Sequence, residues 1–170
     1  MGWYAIFVES GYEDEFCLFI NKAKSYLFGD IQFDLLVPKR KIYERKQGIC
    51  KEVIRKIFPG YVLLRTDNIY EFYYGGKEGP HFIRFLKNGY NFLEIQPDEI
   101  GPILLLANQE GLIDISQAFI IQDRLVITDG PLAGRERIIK KIDKRKGRAK
   151  VEFSIDSSTR MIDLGINIHG

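Results

Sequence analysis

The sequence predicts an α+β fold in two parts: an antiparallel sheet with flanking helices, then a small SH3-like β-barrel. Three observations carry this expectation. Up to about Asn108, β-type runs alternate with helical patterns. From Phe119 onward only short β-type runs appear, broken by turn signals, as in a small sheet that closes on itself. Charge divides at the same place: residues 119–170 hold eleven Lys/Arg against seven Asp/Glu, whereas the whole chain is only +2. The expected domains are 1–108 and 119–170, joined by a linker over 109–118. A basic module after a near-neutral one points to separate partners for each.

Taken in order, Trp3 to Val8 mixes aromatic and branched residues, a strand composition. From Tyr12, the residues Phe16, Phe19, Ile20, Ala23 and Leu27 recur at helical spacing. Glu13, Asp14 and Glu15 suit the positive end of that helix dipole, and Gly29-Asp30 ends it. Phe33 to Tyr43 reads as a strand interrupted by Pro38. Gln47-Gly48 turns it back along Ile49 to Phe58, giving a long hairpin with a basic tip. Tyr61 to Arg65 is a short strand, Asn68 to Tyr74 a short helix, and His81 to Leu86 another strand. A last helix opens near Pro97, with Asp98 and Glu99 in its first turn, and runs to about Asn108.

The second part holds the most informative stretch. Asp129-Gly130-Pro131 is a turn code between apolar runs: Gly accepts a positive φ, and Pro has no N–H for a ladder. A window from Arg135 to Lys150 follows. It contains Arg135, Arg137, Lys140, Lys141, Lys144, Arg145, Lys146, Arg148 and Lys150 against only Glu136 and Asp143, a net charge of +7. Charge of one sign on a short β segment is the footprint of a polyanion-binding surface. Val151 and Phe153 alternate with charged neighbours, giving a strand with one apolar face. The strand before it alternates imperfectly. Ile138 and Ile142 point inward, which puts Lys140 inside unless a bulge or a short strand intervenes.

Other classes find little support. There is no Gly-rich phosphate loop with its Lys, no paired-Cys or His-rich metal set and no Ser/His/Asp arrangement, so neither an enzyme nor a cofactor is expected. No apolar run approaches the ~20 residues that span a bilayer, and the start lacks a secretory pattern. Cys17 and Cys50 are isolated and read as reduced thiols. A cytoplasmic monomer without membrane contact is expected.

The segment around Asp129, Gly130, Pro131, Gly134, Ile142, Gly147 and Val151 resembles the KOW motif. Upstream, Trp3-Tyr4, the basic hairpin, Phe58-Pro59-Gly60-Tyr61-Val62 and His81-Phe82-Ile83-Arg84-Phe85 stand in the order found in the NusG family of transcription elongation factors. The resemblance covers nearly the whole chain. It implies an N-terminal domain that docks on the clamp helices of the largest RNA polymerase subunit. Matched by motif, the docking depression comprises Phe7, Phe58, Pro59, Tyr61 and Phe85. Rigid aromatics suit a helix-in-groove contact. Lys39, Arg40, Lys41 and Arg45 on the hairpin become candidates for the non-template DNA strand.

In the general factor the KOW domain binds Rho or a ribosomal protein, and a second glycine usually follows soon after the position of Gly134. Here Arg135-Glu136-Arg137 stands instead. With the +7 window, this looks most like the LoaP group of processive antiterminators. That resemblance implies binding of a nascent RNA hairpin by the nine cations of the window, then travel with polymerase through terminators. A general elongation factor with a protein-binding KOW domain is the alternative.

Overall fold

The computed structural model describes residues 1–170. The chain opens with β1 (Gly2–Val8), α1 (Glu13–Lys22), α2 (Lys24–Leu27) and β2 (Phe33–Leu36). A hairpin of β3 (Lys39–Lys46) and β4 (Ile49–Lys56) precedes β5 (Tyr61–Thr66) and α3 (Ile69–Gly76). Then come β6 (Phe82–Phe85), β7 (Lys87–Asn88), β8 (Asn91–Phe92), β9 (Glu94–Ile95) and α4 (Pro97–Leu106). The last part holds β10 (Leu112–Ile113), β11 (Ser116–Ile121), β12 (Arg124–Asp129), a 3-10 turn (Glu136–Ile138), β13 (Ile139–Asp143), β14 (Arg148–Ile155) and β15 (Ser158–His169). No helix is long and apolar enough to cross a membrane.

The chain folds as two compact units, Met1–Val37 with Phe58–Gln96, and Pro38–Ile57 with Pro97–Gly170. Sequence alone expects a division near residues 109–118, with the hairpin and the last helix in the first part. By packing, both group with the C-terminal strands.

In the first unit an antiparallel sheet runs β2-β5-β1-β6, with β9 also beside β1. Its core gathers Ile6, Val8, Phe16, Ile20, Phe28, Phe33, Val62, Leu64, Phe72 and Phe85. Helix α1 supplies Phe16 and Ile20, one turn apart on its apolar stripe. Phe28 stacks on Phe72 at 4.7 Å, with Phe33 edge-on to both. The helix expected to run through to Leu27 breaks at Ala23 into α1 and α2, and Phe19 is exposed. Glu13 is fully buried at the start of α1. Its carboxylate accepts the Gly11 N–H at 2.6 Å and the Gly60 N–H at 2.9 Å, tying the helix to the Phe58–Gly60 turn.

In the second unit β3 and β4 pair from Lys39↔Lys56 to Lys46↔Ile49, turning through Gln47 and Gly48, both at positive φ. β10 runs parallel to β3, and the five C-terminal strands form a sheet in the order β12-β11-β15-β14-β13. Most of the expected linker is therefore structured. Ile113 is buried, the Lys39 N–H donates to the Gly111 carbonyl, and β11 begins at Ser116. Helix α4 stops at Leu106, where the Asn108 side chain takes the N–H groups of Glu110 and Leu112. The Glu99 carboxylate accepts the Ser157 N–H at 3.1 Å.

Two glycines are required by close approach. A Cβ on Gly130 (φ +95°) would sit 2.6 Å from Ser116 Cα, and one on Gly165 would collide with the Lys41 carbonyl. Gly165 thus lets β15 cross against β3. The irregular strand resolves by a 3-10 turn and a register shift between Ile139 and Lys141, which leaves Lys140 exposed.

Candidate nucleic-acid interface

Two sites emerge, one aromatic and one basic. The aromatic site lies where β1, β5 and β6 adjoin in the first unit. Phe7 and Tyr61 are register partners with rings 4.6 Å apart, edge to face. The Arg84 guanidinium lies over the Phe7 ring at 4.3 Å, and Ile83 beside it is exposed. Pro59 is exposed on the adjoining turn. Phe58 and Phe85, expected to line the depression, are 1% and 2% exposed. Phe85 is the register partner of Ile6 and packs with Phe72 in the core, and Phe58 is buried in the turn after β4 with its ring 5.9 Å from that of Tyr61. Phe7, Pro59 and Tyr61 present a surface; Phe58 supports it from below, and Phe85 belongs to the core of the sheet. Sequence reasoning missed Arg84, whose only signal was its place between Ile83 and Phe85.

The basic site belongs to the second unit. Its framework is an ionic cluster on Asp163. Lys150 Nζ lies 2.7 Å from Oδ1 and Arg148 Nη1 3.3 Å from Oδ2. Arg148 Nη2 also donates to the Tyr43 carbonyl at 3.1 Å, and Arg40 Nη1 donates to the Asp163 carbonyl. Burial pushes the Asp163 carboxyl up, but hydrogen bonds from Lys150 and Arg148 outweigh it and hold the group below its ordinary value. Burial likewise lowers Arg40, with Asp163 opposing. Lys41 pairs with Asp114 at 3.5 Å. Arg135 folds back onto its own loop, donating to the carbonyls of Pro131 at 3.0 Å and Ala133 at 3.5 Å. Of the expected DNA contacts, Arg40 and Lys41 therefore hold the hairpin in place, and Lys39 is half-buried opposite Lys56. Of the expected RNA contacts, Arg135, Arg148 and Lys150 are engaged within the protein.

The remaining cations are presented. Arg137, Lys140, Lys141, Lys144, Arg145 and Lys146 are exposed, as is Arg45 at the hairpin tip. The Asp143 carboxylate accepts the Lys146 N–H at 3.0 Å, fixing the β13–β14 turn that carries the lysines. Arg45, Lys144, Arg145 and Lys146 line a cleft of about 740 Å³ together with Tyr43, Glu44, Cys50 and Ile166–Ile168. Glu44, the acid in its wall, is held by Arg55 through two bonds of 3.1 and 2.8 Å. Tyr43, Asn167 and the β15 floor were invisible to sequence reasoning, since they join the turn only through long-range packing.

The family model described as "Transcription termination factor nusG" matches residues 1–104. The chain belongs to the NusG family. It is 29% identical to the transcription termination/antitermination protein NusG of Bacillus subtilis, over 95% of this chain and 93% of that one. Against the NusG of Thermus thermophilus it is 26% identical, covering 95% and 94%. A solved structure titled "Domain interaction in Thermotoga maritima NusG" shares its fold, with a TM-score of 0.54, 23% identity and coverage of 96% and 93%. The aromatic site and the hairpin lie inside the residues matched by the NusG family model; the turn carrying Lys144 to Lys146 lies outside them.

Proposed function

We propose that this NusG-type transcription termination/antitermination factor binds RNA polymerase through the aromatic site and a nascent RNA hairpin through its C-terminal part. In this reading residues 1–108 are the polymerase-binding domain, 109–118 the connection, and 119–170 a KOW domain whose five strands form an SH3-like barrel. Phe7, Pro59 and Tyr61 meet the clamp helices, while Phe58 supports them from below and Phe85 belongs to the core of the sheet. The single observation that carries the RNA half is the turn Lys144-Arg145-Lys146, exposed, rigidly framed by Asp143 and free of side-chain ion pairs. Such a surface suits closely spaced phosphates. A KOW domain so charged fits the LoaP type of antiterminator, acting as a cytoplasmic monomer that carries polymerase through terminators of a long operon. Of the four hairpin cations read as contacts for a displaced DNA strand, Arg45 is the one exposed at the tip.

The test uses the full chain and RNA from the leader of its own operon. The native hairpin should bind much more tightly than a scrambled strand of the same composition. Equal binding would return the chain to general elongation factors, whose KOW domain meets proteins. For the polymerase half, the full chain should capture polymerase core enzyme and lose it when excess clamp-helix peptide is added.

A further inference from the structure

Resting on the RNA reading, we infer that the cleft between the hairpin and the β13–β14 turn takes one unpaired nucleotide of the bound RNA, its base against Tyr43 and its phosphates on Arg45 and Lys144–Lys146. Three features of the cleft carry this. Its volume, about 740 Å³, falls in the range of small-ligand sites, whereas a regular duplex is far wider. Its charge is one-sided. Five cations line it, Arg148 among them, Glu44 is held by Arg55, and Asp143 faces its own turn. Its wall includes an aromatic ring, which distinguishes a base from a bare anion such as an acidic peptide.

The ring is held in place beforehand. Arg148 binds the Tyr43 carbonyl at 3.1 Å while anchored on Asp163, and the Tyr43 ring lies by Gly147, where an added Cβ would be 3.7 Å from Cδ2. Burial, then Glu52, raise the Tyr43 phenol above its usual value, so it stays neutral beside phosphates. Ile166 and Ile168 give an apolar floor for a base, and Asn167 an amide at its edge. A nucleotide turned out of a loop or bulge is the part of an RNA hairpin that can enter such a site. The cleft thus adds loop reading to the phosphate contacts of the turn.

The experiment measures binding of the full chain to three probes. These are a pool of stem–loop RNAs with a fixed stem and randomised loop, the same stem as a closed duplex, and the DNA counterpart of the pool. Tyr43→Ala should weaken the RNA stem–loop about tenfold and leave the duplex unchanged, as loss of one base–aromatic stack predicts. Tyr43→Phe should bind like the parent, and ultraviolet crosslinking should mark Tyr43. Should Tyr43→Ala lower the melting temperature, the exposed Arg45→Gln variant and the crosslink decide: normal stem–loop binding by that variant without a crosslink at Tyr43 overturns the cleft. If Tyr43→Ala and Arg45→Gln both bind normally while Lys144→Gln still weakens RNA, the cleft falls and the RNA reading stands. Stem–loop and duplex bound alike also overturns the cleft. If Lys144→Gln has no effect, the RNA reading fails and the cleft with it. Tighter binding of the DNA pool would overturn the RNA assignment in favour of a displaced strand.

Discussion

The aromatic groove and the basic cleft solve one problem with opposite materials. Each needs side chains held rigidly at a surface, and each divides its residues into those that present and those that hold. In the groove, Phe58 is buried against Tyr61, with rings 5.9 Å apart, and Phe85 is buried in the sheet's core beside Phe72, so support comes from apolar burial. In the cleft, support comes from Asp163, which gathers Arg148 and Lys150 at its carboxylate and Arg40 at its carbonyl. The lesson is that residue type does not reveal role. Two phenylalanines, or two lysines, from one motif can stand on opposite sides of this division.

The groove offers the sharpest way to break that comparison. Phe58→Ala should destabilise the protein by about 3–5 kcal/mol, the usual cost of emptying a buried aromatic site. Tyr61→Ala should change stability much less yet cost about 2 kcal/mol of polymerase binding. Urea denaturation and a polymerase titration on both variants check this. A folded Tyr61→Ala variant that bound polymerase normally would remove the docking assignment.

The cleft's framework predicts a smaller effect. Asp163→Ala leaves Arg148 and Lys150 without their counter-ion and should cost about 2 kcal/mol, less than a fully buried pair because the cluster is part-exposed. The same carboxyl sets a pH dependence. Its folded pKa lies below the unfolded value, so its contribution is present above the ordinary Asp range and is lost as pH falls through the folded value. Melting temperature should therefore fall below about pH 4 in the parent. Asp163→Asn should flatten that part of the profile, and an unchanged slope would show that the cluster does not hold the site.

Much of this was legible in the sequence. The antiparallel sheet, the basic hairpin, the Asp129-Gly130-Pro131 turn and the late strands follow from periodicity and turn chemistry, which are local. The bulge at Ile139–Lys141 was foreshadowed by broken alternation. What could not be read is non-local. β10 is two residues long and exists because it pairs with β3. The hairpin's grouping with the C-terminal strands rests on contacts far apart in sequence, among them Arg40 with Asp163, Arg148 with Tyr43 and Lys41 with Asp114. For the same reason the +7 window looked uniform, although Asp163, outside it, engages two of its members.

The smallest effect tests that window directly. Lys144 and Lys150 are both lysines of one basic segment, six residues apart, but only Lys150 is bound to Asp163. Lys144→Gln should weaken every RNA and reduce the log–log salt slope by roughly 0.7–0.9, the loss of one phosphate contact. Its stability should stay within about 0.5 kcal/mol of the parent, as for other surface changes. Lys150→Gln should do the reverse: a loss of about 0.5–1 kcal/mol in stability and an unchanged salt slope. Arg137→Gln belongs with Lys144, since its side chain is exposed, whereas Arg135→Gln loosens the loop it binds. Salt titrations of RNA binding on all four variants separate the groups. Equal slopes for Lys144→Gln and Lys150→Gln would mean that the Asp163 cluster opens on RNA binding, making its cations contacts rather than supports.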